Sequence, residues 1–212
     1  MYFGRLLLPS LNPPARLNPP SPSPSPTQYT TESAVAQLFA QHYADAVALM
    51  PDYRGEFLRN PVGFLGTVFA EPWVSGDKVA LIGDAAHAFT PFFGQGCNSG
   101  FEDVSIFDQL LGEAEAAAAS SASAVDMAAH FAAYFAERKP NTDAIAQMAL
   151  DNFTEMMAKT ADARFLLEKE IENRLAALEP AFKSRYVLIT HSLLPYALCR
   201  RAGEVQQTIL RY

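Results

Sequence analysis

The chain has 212 residues, half of them hydrophobic, and a formal net charge of −7. That composition supports one buried core with extensions, and an acidic balance without a Lys/Arg block argues against a nucleic-acid partner. Two distant cysteines, Cys97 and Cys199, indicate neither a disulfide framework nor a zinc site, and no apolar run reaches the ~18 residues of a membrane-spanning helix.

Residues 1–31 stand apart. Eight of the fifteen prolines lie in the first thirty positions, ending in "NPPSPSPSPT". Proline removes backbone donors and disfavours helix, so this segment is expected to be extended and disordered. Arg5 and Arg16 without an acid before Glu32 also fit a weak targeting signal.

A helix is expected from about Glu32, with Thr30, Thr31 or Ser33 as its N-cap. Val35, Leu38, Phe39, Ala46 and Leu49 give its apolar stripe, and His42 on that stripe reads as a core histidine. "GFLGTVFA" (63–70) reads as a strand. A turn at 75–77 leads to a second strand, 79–82, continuously apolar as in a parallel sheet covered on both faces.

Downstream the pattern is helical. A helix is expected over 101–111, with Val104, Phe107, Leu110 and Leu111 on one side. Residues 113–125 are an alanine-rich linker or a helix extension. A helix over 126–138 is expected to break at Pro140, and another over 142–159 to be capped by Asn141 or Thr142. Asp162 can cap a further helix to about Leu178, and 186–198 form the last, disturbed at Pro195. The expected organisation is 1–31, 32–112, 113–125 and 126–212: α-rich, with a few strands and a C-terminal helical bundle.

The chemistry concentrates in "LIGDAAHAFTPFFGQGCNSGFED" (81–103). Asp84 follows a strand, where a carboxylate can accept hydrogen bonds from ribose or ribityl hydroxyls. Gly94 and Gly96 remove side-chain bulk so that backbone can approach a flat ligand. A helix starting near Cys97 aims free N–H groups at the same place. Reduced flavin, anionic at its pyrimidine edge, suits that arrangement; a tight strand–turn–helix link with Asp84 as a local cap is the alternative.

"GDAAHAFTPFFGQGCNSGFED" resembles the second flavin-binding motif of the aromatic-ring flavoprotein hydroxylases. "DNFTEM" (151–156), "FLLEKEIENRL" (165–175) and "YVLITHSLLPY" (186–196) are similar to that family's kynurenine-hydroxylating branch. The resemblance covers roughly 34–205. It implies an α/β FAD-binding fold, here incomplete: the sequence contains no GxGxxG fingerprint for the ADP half of the flavin, and it corresponds to about the last two-fifths of a family member. A separate or additional N-terminal half is therefore an implied partner.

The resemblance further implies FAD as cofactor, NADPH as reductant, O2 and L-kynurenine as substrates, and no metal. Asp84 would bind the ribityl chain and Pro91 would pack beside the flavin. Gly94, Gln95, Gly96, Cys97 and Asn98 would present backbone to the isoalloxazine, although Cys97 stands where the family carries methionine. Phe92, Phe93, Asn152 and Tyr186 would contact substrate, with Glu155 and His191 nearby; no residue is assigned as catalytic. Taken singly, Asn152 also reads as a structural hydrogen bonder, Tyr186 and the Phe92–Phe93 pair as packing residues, Glu155 as a solvated helix residue and His87 as a support for the turn. Family members in eukaryotes associate with the mitochondrial outer membrane, so that location or the cytoplasm is implied. A fragment without turnover, acting as an interaction module, and one chain of a split hydroxylase are the alternatives to an incomplete hydroxylase.

Overall fold

A computed structural model describes residues 29–61, 65–158 and 162–210. The proline-rich segment up to residue 28, the start of the 63–70 stretch and the side chain of Met157 lie outside the described residues. The chain divides into two units between Phe64 and Leu65.

The first unit holds α1 (Glu32–His42), α2 (Ala44–Val47) and α3 (Tyr53–Arg59). Thr31 caps α1, its hydroxyl accepting from the Ala34 N–H at 3.3 Å, which supplies one of the orphan donors of a helix start. Val35 and Tyr53 are buried, and the Phe39 ring lies 4.6 Å from that of Tyr53. The apolar stripe does not continue as expected. α1 ends at His42, so the period is lost, His42 is exposed and Leu49 is 82 % exposed.

In the second unit β1 (Val74–Ser75) and β2 (Val79–Ala80) pair antiparallel around Gly76, whose φ is +55°. The expected parallel strand over 79–82 is thus a short hairpin arm, with Val79 and Ile82 exposed. The expected strand over 63–70 is not formed in its described part, 65–70. Leu65, Val68 and Phe69 are exposed; the Val68 N–H donates to the Ala88 carbonyl at 2.6 Å, but no neighbouring strand offers a ladder among the described residues. Strand propensity needs a partner edge to become a strand.

The helices that follow are α4 (Asp84–His87), α5 (Gly96–Ser120), α6 (Met127–Ala158), α7 (Ala163–Leu178), α8 (Arg185–His191) and α9 (Tyr196–Leu210). α5 begins five residues earlier than the apolar pattern suggests and runs on through the alanine-rich stretch to Ser120. The residues it buries among the first turns are Ser99 and Asp103, while Val104 is exposed. α7 is capped by Asp162, which accepts from the Phe165 N–H at 2.8 Å. The expected helix over 186–198 is two helices, α8 and α9, separated before Pro195.

Pro140 does not break α6. The proline cannot donate to the preceding turn, but the Asn141 amide donates to the Glu137 carbonyl at 3.1 Å and the Thr142 hydroxyl to the Lys139 carbonyl at 3.2 Å. Pro140 itself faces outward. Phe131 and Tyr134 before it, and Ile145 and Met148 after it, are all buried. Packing on both sides of the proline outweighs its penalty of about 3 kcal/mol. Asn141 and Thr142 are accordingly interior helix residues and not caps.

α6 packs along both α5 and α9. One apolar cluster joins Phe93, Ile145, Met148, Ile189, Tyr196 and Cys199; a second joins Trp73, Ala86 and Tyr134, with Phe107 and Leu110 against it. The segment 81–99 contributes Ala86 to one cluster and Phe93 to the other.

Candidate functional site: a glycine loop between two helices

Gly83, with φ +61°, turns the chain into α4, and Asp84 is the first residue of that helix, exposed. Residues Pro91–Phe93 form a single 3-10 turn closed by Gly94 at φ +65°, in the left-handed region that disfavours other residues. Gln95 then precedes α5, whose first turn is Gly96, Cys97 and Asn98. No side chain caps this helix, so its first N–H groups and positive dipole end are presented outward.

Gly96 is informative. A Cβ built on it would meet nothing within 4 Å among the described residues, and its φ is not in the positive region. Packing inside the chain therefore does not require glycine there, whereas a flat group lying on the backbone would. Cys97 and Asn98 beside it are exposed.

The loop is held from behind by side chains. Gln95 is 7 % exposed; its amide donates to the Phe93 carbonyl at 3.2 Å, and its Oε1 accepts from the Tyr196 hydroxyl at 3.0 Å and the Asn98 amide at 3.1 Å. Burial first, and then Glu102, push the Tyr196 phenol up to about 12, so it stays a donor through the physiological range. The Asn152 amide, from α6, donates to the Phe92 carbonyl at 2.9 Å. The sequence places Asn152 on a stripe with Ile145, Met148 and Met156; the first two are buried, while Met156 is 55 % exposed.

Beneath α4 and α5 lies a buried ionic cluster. Asp103 is 0 % and Arg138 is 1 % exposed. Asp103 accepts from the Gly83 N–H at 2.9 Å, from His87 Nε2 at 2.5 Å and from Arg138 Nε at 2.7 Å. Burial works to raise the Asp103 pKa, but the hydrogen bonds from His87 and Arg138, the His87 charge and the Gly83 N–H together hold it below the ordinary aspartate value. His87 thus supports the turn through a carboxylate.

The structure gathers most, and not all, of the residues expected to contact substrate. A cavity of about 380 Å³ is lined by Phe93, Asn152, Glu155, Met156, Arg185 and Tyr186, among others. Glu155 is not a solvated residue: its carboxylate lies 3.3 Å from Arg185 Nη2, and both are largely buried. Tyr186 is 55 % exposed, its ring 6.0 Å from that of Phe93. Phe92 stacks on Phe153 at 4.6 Å, and Phe93 is in the core. His191 stands apart from this group. It is exposed, bonded to Thr190, and faces a different cavity of about 440 Å³ that includes Gln95, Asn98 and Tyr196.

The side-chain roles of Gln95, Tyr196, Asp103 and Arg138 are absent from the sequence reading. One signal was present. Asp103 shares the stripe of Phe107 and Leu110, and Arg138 that of Phe131, Tyr134 and Ile145; a charge on each of two apolar faces is a pairing signal.

A bare glycine loop at an uncapped helix start, with an exposed carboxylate at the adjoining turn, has the chemistry to receive a flat, anionic ligand. The chain belongs to the FAD binding domain family, whose model matches residues 21–149. It is 41 % identical over 178 residues to a kynurenine 3-monooxygenase of Flavobacterium psychrophilum, covering 84 % of this chain and 38 % of that protein. It is 40 % identical over 188 residues to that of Stenotrophomonas maltophilia (88 % and 39 %) and 40 % over 185 residues to that of Dictyostelium discoideum (85 % and 40 %). The chain thus spans about two-fifths of the length of these relatives. The open space over Gly96 and the free helix start fit a flavin. Among the described residues no group of acidic, histidine or cysteine side chains could hold a metal ion, and no helix is long and apolar enough to cross a membrane.

Proposed function

We propose that this chain is the C-terminal portion of an FAD- and NADPH-dependent monooxygenase that converts L-kynurenine to 3-hydroxykynurenine, with an α/β flavoprotein hydroxylase fold in the whole protein. The observation that carries the reading is the glycine at position 96, whose place for a Cβ is open among the described residues, on a loop buttressed by Gln95, Asn152 and Tyr196. FAD held there would supply the redox chemistry that places one atom of O2 on an aromatic ring. The residues of this chain bind and orient. Asp84 accepts hydrogen bonds from ribityl hydroxyls. Gly96, Cys97 and Asn98 offer backbone N–H groups to the pyrimidine edge, favouring negative charge there. Gly94 turns the backbone towards the ring, its own N–H closing on the Pro91 carbonyl at 3.0 Å, and Pro91 packs alongside. Phe92 and Phe93 separate flavin from substrate and exclude water. Asn152 and Tyr186 bind kynurenine, with Arg185 and Glu155 in the same cavity.

Exposed apolar side chains at Leu65, Val68, Phe69, Val79, Ile82, Phe101 and Val104 support a companion segment, in the same chain or as a second polypeptide, that covers them. The chain by itself is therefore expected not to retain FAD. The test is to purify the 212-residue chain, alone and fused behind the front three-fifths of the Flavobacterium relative, and to record flavin absorbance and kynurenine-dependent NADPH oxidation. The fusion should be yellow and active, and Asn152→Ala and Tyr186→Phe should weaken its kynurenine binding. A colourless fusion, or a yellow chain alone, refutes the reading.

A further inference from the structure

We infer that Asp103 is a positioning residue which sets the Asp84 turn and the first turn of α5 in one fixed relation, so that a single buried carboxylate aligns the two segments that hold flavin. The inference rests on the flavin reading above for the identity of the ligand, and on the geometry of this chain for the alignment.

The argument is one of connectivity. Oδ2 of Asp103 receives the N–H of Gly83, the residue immediately before Asp84, and Nε2 of His87, the last residue of α4. Both ends of α4 are therefore tied to one oxygen. Oδ1 receives Nε of Arg138. The other guanidinium nitrogens reach the Ser99 carbonyl and hydroxyl, each at 3.3 Å, and the Glu102 carboxylate at 2.9 Å. Ser99 closes the first turn of α5, its N–H donating to the Gln95 carbonyl at 2.8 Å. A path of directional bonds among buried groups thus runs from the Asp84 turn to the helix start, beside the apolar packing of Ala86 in the cluster that Phe107 and Leu110 border.

A buried ion pair is a poor device for stability alone, since well-packed apolar residues of similar volume often do as well or better. What it adds is direction. Three donors, two from the ends of α4 and one from α6, must meet two oxygens at set angles, and a planar guanidinium must meet four acceptor atoms. A hydrophobic contact would let α4 slide on α5 by a fraction of an ångström; this arrangement does not. Asp103 has no exposed surface and does not touch the ligand face, so its influence on a flavin passes through Gly83 and Arg138.

Two measurements test this. The first uses the 212-residue chain and amide hydrogen exchange. Asp103→Asn should speed exchange of the hydrogen-bonded amides of Gly83, Ala86 and His87 and of Ser99 together, by roughly ten- to a hundredfold, while amides of α7 keep their wild-type rates. Faster exchange in only one of the two segments overturns the inference. The second uses the FAD-loaded fusion, comparing Asp103→Asn with the double variant Asp103→Asn/Arg138→Gln, which restores charge balance. Both should shift the visible spectrum and midpoint potential of bound flavin and raise the FAD Kd about tenfold or more, even where the double variant regains thermal stability. Wild-type flavin properties in the double variant would reduce the cluster to a structural pair and overturn the inference. If the wild-type fusion binds no flavin, the functional reading fails and the exchange experiment alone decides the alignment.

Discussion

Tyr196→Phe removes one hydroxyl and nothing else. In the native chain that hydroxyl donates to Gln95 Oε1 at 3.0 Å, in a region where Tyr196 and Gln95 are both 7 % exposed. After the substitution Oε1 still accepts from Asn98 at 3.1 Å, so no buried acceptor is orphaned. The loss is then that of an ordinary net hydrogen bond, about 0.5–1.5 kcal/mol. Gln95→Leu differs. It strips the Phe93 carbonyl and the Tyr196 hydroxyl of partners at once, and a buried hydroxyl left unpaired costs about 1–3 kcal/mol on its own. Urea unfolding read by Trp73, the single tryptophan and 1 % exposed, separates the two by midpoint at constant slope. In a Gln95→Leu background, Tyr196→Phe should become neutral or stabilising, because it then removes an unsatisfied group. Additive losses in the double variant would refute the claim that Gln95 and Tyr196 act as one bond across 101 positions.

Gly203 brings α9 against α8: a Cβ there would collide with the Arg185 side chain, including its Cβ at 3.1 Å. Gly203→Ala should cost about 1–3 kcal/mol in the same unfolding assay and should displace Arg185 from Glu155, lowering kynurenine affinity in the fusion. The Asp103 carboxyl titrates below its ordinary value, so its contribution is complete above the unfolded aspartate pKa of about 3.9 and is lost as pH falls through the lower folded value. The stability difference between wild type and Asp103→Asn should accordingly be flat at neutral pH and shrink only below about pH 4; shrinkage centred above pH 5 would contradict the assignment. Asn152→Ala should cost about 0.5–1.5 kcal/mol even without substrate, because the Phe92 carbonyl loses its donor; an unchanged unfolding midpoint would argue against that bond.

Local chemistry was legible in the sequence. Thr31, one of three candidates for α1, and Asp162 at α7 are the caps, because a hydroxyl or carboxylate three residues from a free N–H needs no distant partner. Gly76 makes its turn, and the loop from Pro91 to Asn98 lies where the glycines put it. The errors came where distant residues decide. Pro140 stays inside α6 because Ile145 and Phe131 are buried on either side of it. Residues 65–70 have strand composition but find no partner strand among the described residues, and of 79–82 only Val79 and Ala80 pair, in a two-stranded hairpin. The bonds Asn152–Phe92, Arg138–Asp103 and Tyr196–Gln95 join positions 60, 35 and 101 apart, and no periodicity encodes such pairs. Asp103 and Arg138 were nonetheless visible as charges on apolar faces.

The central claim is that the Asp84 turn and the Gly94–Asn98 loop form one flavin-holding edge. Equilibrium binding of FAD to the fusion, wild type against Asp84→Ala and Gly96→Val, tests it most directly. A Cβ at Gly96 has open space within 4 Å among the described residues, so Gly96→Val should leave the fold's unfolding midpoint nearly unchanged while FAD affinity falls together with that of Asp84→Ala. Wild-type FAD affinity in both variants would contradict the account.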